Sequence, residues 1–120
     1  SGIDSGASDY VSGRQVLEEG STTYSYGDFA AGPSIRLCTD PGTGANEGVS
    51  SINWIMNPGD AGTRNTIFGT YSLYDSTPEL RGGTIMGMRE TAITLDRILV
   101  KFNNGNITSG RLTVWGLSHD

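Results

Sequence analysis

Eighteen of the 120 residues are glycine, spread along the whole chain, and that density limits the fold before any motif is considered. Each glycine in a helix interior costs about 1 kcal/mol relative to alanine, so a helical bundle is excluded. In strands and turns glycine has uses instead, since it allows positive φ and close approach of neighbouring backbones. A chain of this length is one domain, able to hide roughly two-thirds of its unfolded surface.

Apolar residues recur at every second position, and Gly, Asn, Asp and Pro interrupt them about every ten residues, which predicts an all-β, antiparallel fold. Residues 49–56 alternate most clearly, with Ile52, Trp54 and Met56 on one face and Ser51, Asn53 and Ile55 on the other. Residues 66–74 place Ile67, Tyr71 and Leu73 on one face and Phe68 and Tyr74 on the other, so that both faces are occupied. Residues 80–88 alternate around Gly82, Gly83 and Gly87, predicting a strand that is bulged or closely approached. Shorter strands are expected at 14–17, 23–26 and 34–38, a long loop at 39–48, and one helical turn within 90–96. The pattern also predicts a C-terminal hairpin-like pair, in which Ile98, Val100 and Phe102 meet Leu112 and Val114 across a connection at 103–106 that tolerates positive φ. Trp54 and Phe102 are expected in the core. Residues 1–13 are polar and read as an extended arm preceding a domain over 14–120.

Thirteen Asp and Glu stand against eight Lys and Arg, a net charge of −5, and Lys101 is the only lysine. With no basic stripe to displace counterions from phosphates, a nucleic-acid partner is not expected, and an anionic membrane surface would repel the chain. No apolar stretch approaches a membrane span, and residues 1–4 lack the basic and apolar blocks of a signal peptide. Ser1 reads as a processed start or as the start of a fragment. The single Cys38 lies in an apolar run and reads as a core thiol.

The catalytic inventory is thin. His119, the only histidine, lies one residue from the end of the sequence, where it makes a poor partner for a Ser-His-Asp arrangement, for Cys38 as a nucleophile or for zinc. A carboxylate pair for glycoside hydrolysis would have to come from Asp40, Glu47, Asp60, Asp75 or Glu90, and their spacing selects no pair. Calcium is the one cofactor to weigh, because Asp40, Asn46 and Glu47 share a glycine-rich loop with oxygen ligands, although the spacing is not that of an EF-hand. The expectation is no cofactor, with Asp40 and Glu47 as the metal candidates. Neither glycine-rich stretch continues into the Lys-Ser/Thr pair of a phosphate loop, and the sequon at Asn106 reads as a turn. Tyr24, Tyr26, Tyr71, Tyr74 and Trp115 are the aromatic residues available to stack on a sugar or to form an interface.

Two stretches carry a resemblance. The first is Asp4-Ser5-Gly6-Ala7-Ser8-Asp9-Tyr10; the second runs from Ile98 to Leu117, with an Ile-x-x-x-Phe strand, the Asn-Gly-Asn-Ile-x-Ser-Gly turn and a strand ending Trp115-Gly116-Leu117. Together they resemble a loosely defined group of tailed-bacteriophage virion proteins, structural or tail-associated, with Asn46-Glu47-Gly48-Val49-Ser50 and Tyr74-Asp75-Ser76 falling between them in the same order. The resemblance implies a single β-sandwich of jelly-roll type on the virion exterior, assembled in the host cytoplasm, with no catalytic residues to carry over. In that group the first stretch follows N-terminal strands, whereas here it begins at residue 4. A minimal version, a fragment, or a sheet completed by a neighbouring chain would each account for the difference.

The expectation drawn from all this is a non-enzymatic virion protein, a capsid decoration or cement protein that contacts the major capsid protein or tail proteins and forms a homo-oligomer. The alternative is a carbohydrate-binding module of a tail fibre or tailspike that reads a host glycan, with a hydrolase third. A glycan reader should line a groove with two or three aromatics beside Asn, Asp or Arg. A cement protein should show flat apolar patches and open strand edges.

Overall fold

The computed structural model describes residues 6–22, 25–38, 41–103 and 105–117. The fold is all-β, as the alternation predicts. Five strands, β1 (Tyr10–Glu18), β2 (Ser25–Gly32), β3 (Gly48–Met56), β4 (Thr66–Tyr74) and β5 (Leu80–Arg89), form one antiparallel sheet in the order β2-β1-β5-β4-β3. β1 and β2 are a hairpin and β3, β4 and β5 a meander, joined where β1 pairs with β5 along its whole length, from Tyr10 opposite Arg89 to Glu18 opposite Arg81. The register of β5 is continuous on both sides, so its glycines serve close approach and not a bulge. The irregularity lies instead in β2, where residues 28 and 29 together stand opposite the single Gly13 of β1, between the pairs Ser12–Ala30 and Arg14–Gly27.

The chain leaves β2 at one edge of the sheet and enters β3 at the other, so residues 33–47 must cross a face. Ile35 reaches Gly87, whose missing side chain leaves room for it, and Leu37 and Cys38 pack against Tyr71, Leu73 and Ile85. These residues make the core: Tyr71, Leu73 and Ile85 are buried, with Val16 beside them on β1. Cys38 is half-buried there, in keeping with an apolar role. The strand expected at 34–38 is absent because that segment spends its apolar residues covering a face, where its backbone has no strand to pair with.

Directly opposed residues of an antiparallel sheet share a face. Val16, Gly69, Tyr71, Leu73, Ile85 and Gly87 therefore point to the covered side, and each is buried. Trp54, Phe68 and Met86 share the other side, and each is about half exposed. Trp54 is thus corrected from core to surface: the sharing of a face with Ile52 and Met56 holds, but the crossover covers the opposite face.

Two further expectations change. The pair of C-terminal strands does not form: among the described residues no strand follows Arg89, and Ile98, Val100, Leu112 and Val114 are exposed, with Phe102 only half-buried. A two-stranded ribbon with no layer to pack on is marginal in water, and no strand of the sheet pairs with the described residues of this segment. Its connection does take positive φ, at Gly105. The helical turn expected within 90–96 is also absent, the segment being irregular and held at Leu95, whose N–H donates to the Pro58 carbonyl at 2.7 Å. Of the expected arm, Tyr10–Gly13 pair with β5.

Candidate functional site

Rung by rung, the open face runs Met56, Thr66, Met88 and Val11; then Trp54, Phe68 and Met86; then Ile52, Thr70, Thr84 and Gln15. The result is an apolar patch toward one end of the sheet, bordered by a row of hydroxyl and amide groups. Ile52 is 67% exposed and Trp54, Phe68 and Met86 48–50%. The charges of these strands lie elsewhere: Arg14, Glu18, Arg81 and Arg89 all fall on the covered face by register, and β1, β3, β4 and β5 place no charged residue on the open one. Soluble monomers rarely expose contiguous apolar patches of more than a few hundred Å² unless something binds there. The outermost strand on this side, β3, has neither charge nor proline to deter pairing along its edge.

One cluster of charged groups lies at the other end of the sheet. Asp75, buried at the close of β4, accepts hydrogen bonds through Oδ1 from the Thr77 hydroxyl (2.7 Å), the Thr77 N–H (2.8 Å) and the Glu79 N–H (3.3 Å). Its Oδ2 lies 3.0 Å from Arg81 Nε, which is also 3.3 Å from Glu18. Glu19 adds a second tie, its N–H donating to the Leu80 carbonyl (2.9 Å) and its carboxylate accepting from the Leu80 N–H (3.0 Å). The β1–β2 and β4–β5 turns are thereby fastened to one another. The Thr77 hydroxyl, more than any other group, holds the Asp75 carboxyl below its ordinary 3.8, helped by the two backbone donors and Arg81 against the opposing effect of burial. A depressed carboxyl stabilises the fold above its ordinary value and ceases to do so as pH falls through 3.8 and beyond. Melting temperature followed from pH 6 to pH 2 should therefore fall more steeply for the wild type than for Asp75→Asn. Parallel curves would remove Asp75 from the acid response.

The other sequence-selected carboxylates are dispersed. Asp60 closes its own turn, accepting from Gly62 N–H (2.8 Å) and the Thr63 hydroxyl (2.5 Å), and Glu90 lies 3.7 Å from Arg64. The whole of β5, about 30 Å of extended chain, separates Glu90 from Asp75. Glu47 folds back to accept from the Gly44 N–H of its own loop. Asp40 lies outside the described residues, as does Tyr24, and of Tyr26 only the backbone, opposite Gln15, is described. Tyr71 is core, Trp115 is exposed and lies outside the strands, and Tyr74 sits on the open face, bordering a shallow depression with Asn46, Glu47 and Leu80. Among the described residues no three His, Cys, Asp or Glu side chains converge as metal ligands, and no helix is long and apolar enough to cross a membrane.

Ile52, Trp54, Met56, Phe68 and Met86 were not singled out as site residues from the sequence, although the signal was present: a strand apolar on both faces needs covering on both. Compared with known protein families, curated proteins and solved structures, the chain finds no match.

Proposed function

We propose that this chain is a non-enzymatic structural protein of a tailed-phage virion, a decoration or cement protein that works by protein–protein contact. The observation that carries the mode of action is the open sheet face, apolar around Trp54, Phe68 and Met86 and free of charge on four strands. A flat apolar face beside an unprotected edge strand fits a protein partner better than a small molecule, which needs a concave pocket. The virion address is supported by the resemblance of the first and last stretches of sequence. Quantitative mass spectrometry of purified particles tests it. Hundreds of copies per particle are expected for a capsid site; a few to dozens would move the address to the tail, and absence would overturn the reading.

A glycan-binding reading has one observation in its favour, the half-exposed Tyr74 beside Asn46 and Glu47 at the edge of the open face. Its sign would be binding on a glycan array that Tyr74→Ala abolishes.

A further inference from the structure

The chain exposes 8812 Å² of accessible surface, whereas a compact monomer of 12.7 kDa should expose about 6,200 Å² by the scaling of surface with mass. The surplus, about 2,600 Å², is shared between the irregular segment after β5, where Leu112, Val114, Trp115 and Leu117 are 69–84% exposed, and the sheet itself. Part of that surplus lies in a definite place. The sheet has one face covered by Ile35, Leu37 and Cys38 and one open face, on which Trp54, Phe68 and Met86 are each about half exposed among the described residues.

We propose that two copies of this chain pack their open faces together, so that the β-sandwich is completed between subunits and not within one. The proposal rests on reading this face as an interaction surface and adds the identity of its partner.

Charge selects that partner. The chain as a whole carries −5, which opposes self-association, but the charges of β1, β3, β4 and β5 fall on the covered face, so the open rungs of these four strands meet their copies without bringing like charges together. A partner of complementary charge would find nothing on β1, β3, β4 or β5 to pair with, whereas an identical face offers apolar rungs for apolar rungs and hydroxyls for hydroxyls. Sheets packed face to face stand about 10 Å apart and interdigitate their side chains. Trp54, Phe68 and Met86 are large enough to fill such a layer. A two-fold axis also makes the contact self-complementary, which is the usual form of a closed homodimer.

Light scattering during size exclusion should give about twice the 12.7 kDa chain mass at micromolar concentration. Ile52→Glu and Phe68→Glu, each placing a charge on the open face, should return the mass to that of one chain, while Ser51→Glu, exposed on the opposite face, should leave it doubled. In a Trp115→Phe background Trp54 becomes the sole indole, and its emission should shift to the red with exposure to iodide quenching on dilution. A wild-type monomer at high concentration overturns the proposal. So does a dimer indifferent to both glutamates, or a monomer whose Trp54 is already shielded, since the chain's own C-terminal segment would then cover the face. If the glutamate variants do not fold, as judged by circular dichroism, the Trp54 dilution series on the folded parent decides alone. A monomer that nevertheless binds virions ends this proposal and leaves the function intact, whereas a dimer absent from virions does the reverse.

Discussion

Gly83→Ala is expected to be the most damaging glycine-to-alanine change among the described residues. A Cβ at Gly83 would run into the Gln15 carbonyl oxygen and lie 3.3 Å from Val16 Cα, so the obstacle is backbone of the neighbouring strand, which no side-chain rotation relieves. β1 would have to leave β5, and the β1–β2 hairpin reaches the rest of the sheet through that pairing. A loss of about 3 kcal/mol or more is expected, at the upper end of overpacking costs, read as a lower urea midpoint with faster amide exchange along Tyr10–Glu18. Gly48→Ala is the control, since its added methyl meets nothing within 4 Å, and should change stability by no more than about 0.5 kcal/mol. Equal effects at the two positions would mean that β1 does not lie against Gly83 as described.

Ile85→Ala should cost about 2–5 kcal/mol, as truncation of a fully buried aliphatic side chain does. Ile85 is 1% exposed and packs with Tyr71 and Leu73 beneath Leu37 and Cys38. The core is small, so few neighbours are available to relax into the cavity. Phe102→Ala provides the contrast. The alternation of residues 98–102 made Phe102 a core residue, but it is half-buried in an irregular segment, and its loss should cost less than about 1 kcal/mol. Thermal denaturation of the two variants side by side decides the matter: a larger effect at Phe102 would restore the C-terminal strands to the core.

Much of the sheet was legible because its signals are local. Strand length and period come from neighbouring residues in the chain, and residues 49–56, 66–74 and 80–88 anticipate β3, β4 and β5 to within one residue at each end. The β1–β2 hairpin was foreshadowed only in part, since Gly27, Ala30, Ala31 and Gly32 carry too little apolar bulk to mark a face. The C-terminal segment shows the converse. Its alternation is as regular as that of β3, yet a strand needs a partner as well as a pattern, and the described sheet ends at β2 and β3 without it.

The sequence by itself determined that the chain is all-β and which side chains share a face: Ile52 with Trp54 and Met56, Tyr71 with Leu73. It did so because extended backbone turns successive side chains to opposite sides whatever lies beyond them. Only the tertiary structure decided which of the two faces is covered. That choice follows from a single connection, the passage of residues 33–47 from one sheet edge to the other. Crossing one side, it buries Tyr71, Leu73 and Ile85 under Leu37 and Cys38 and leaves Trp54, Phe68 and Met86 exposed. Both sides are apolar enough to be covered, and one connection of that length covers one of them.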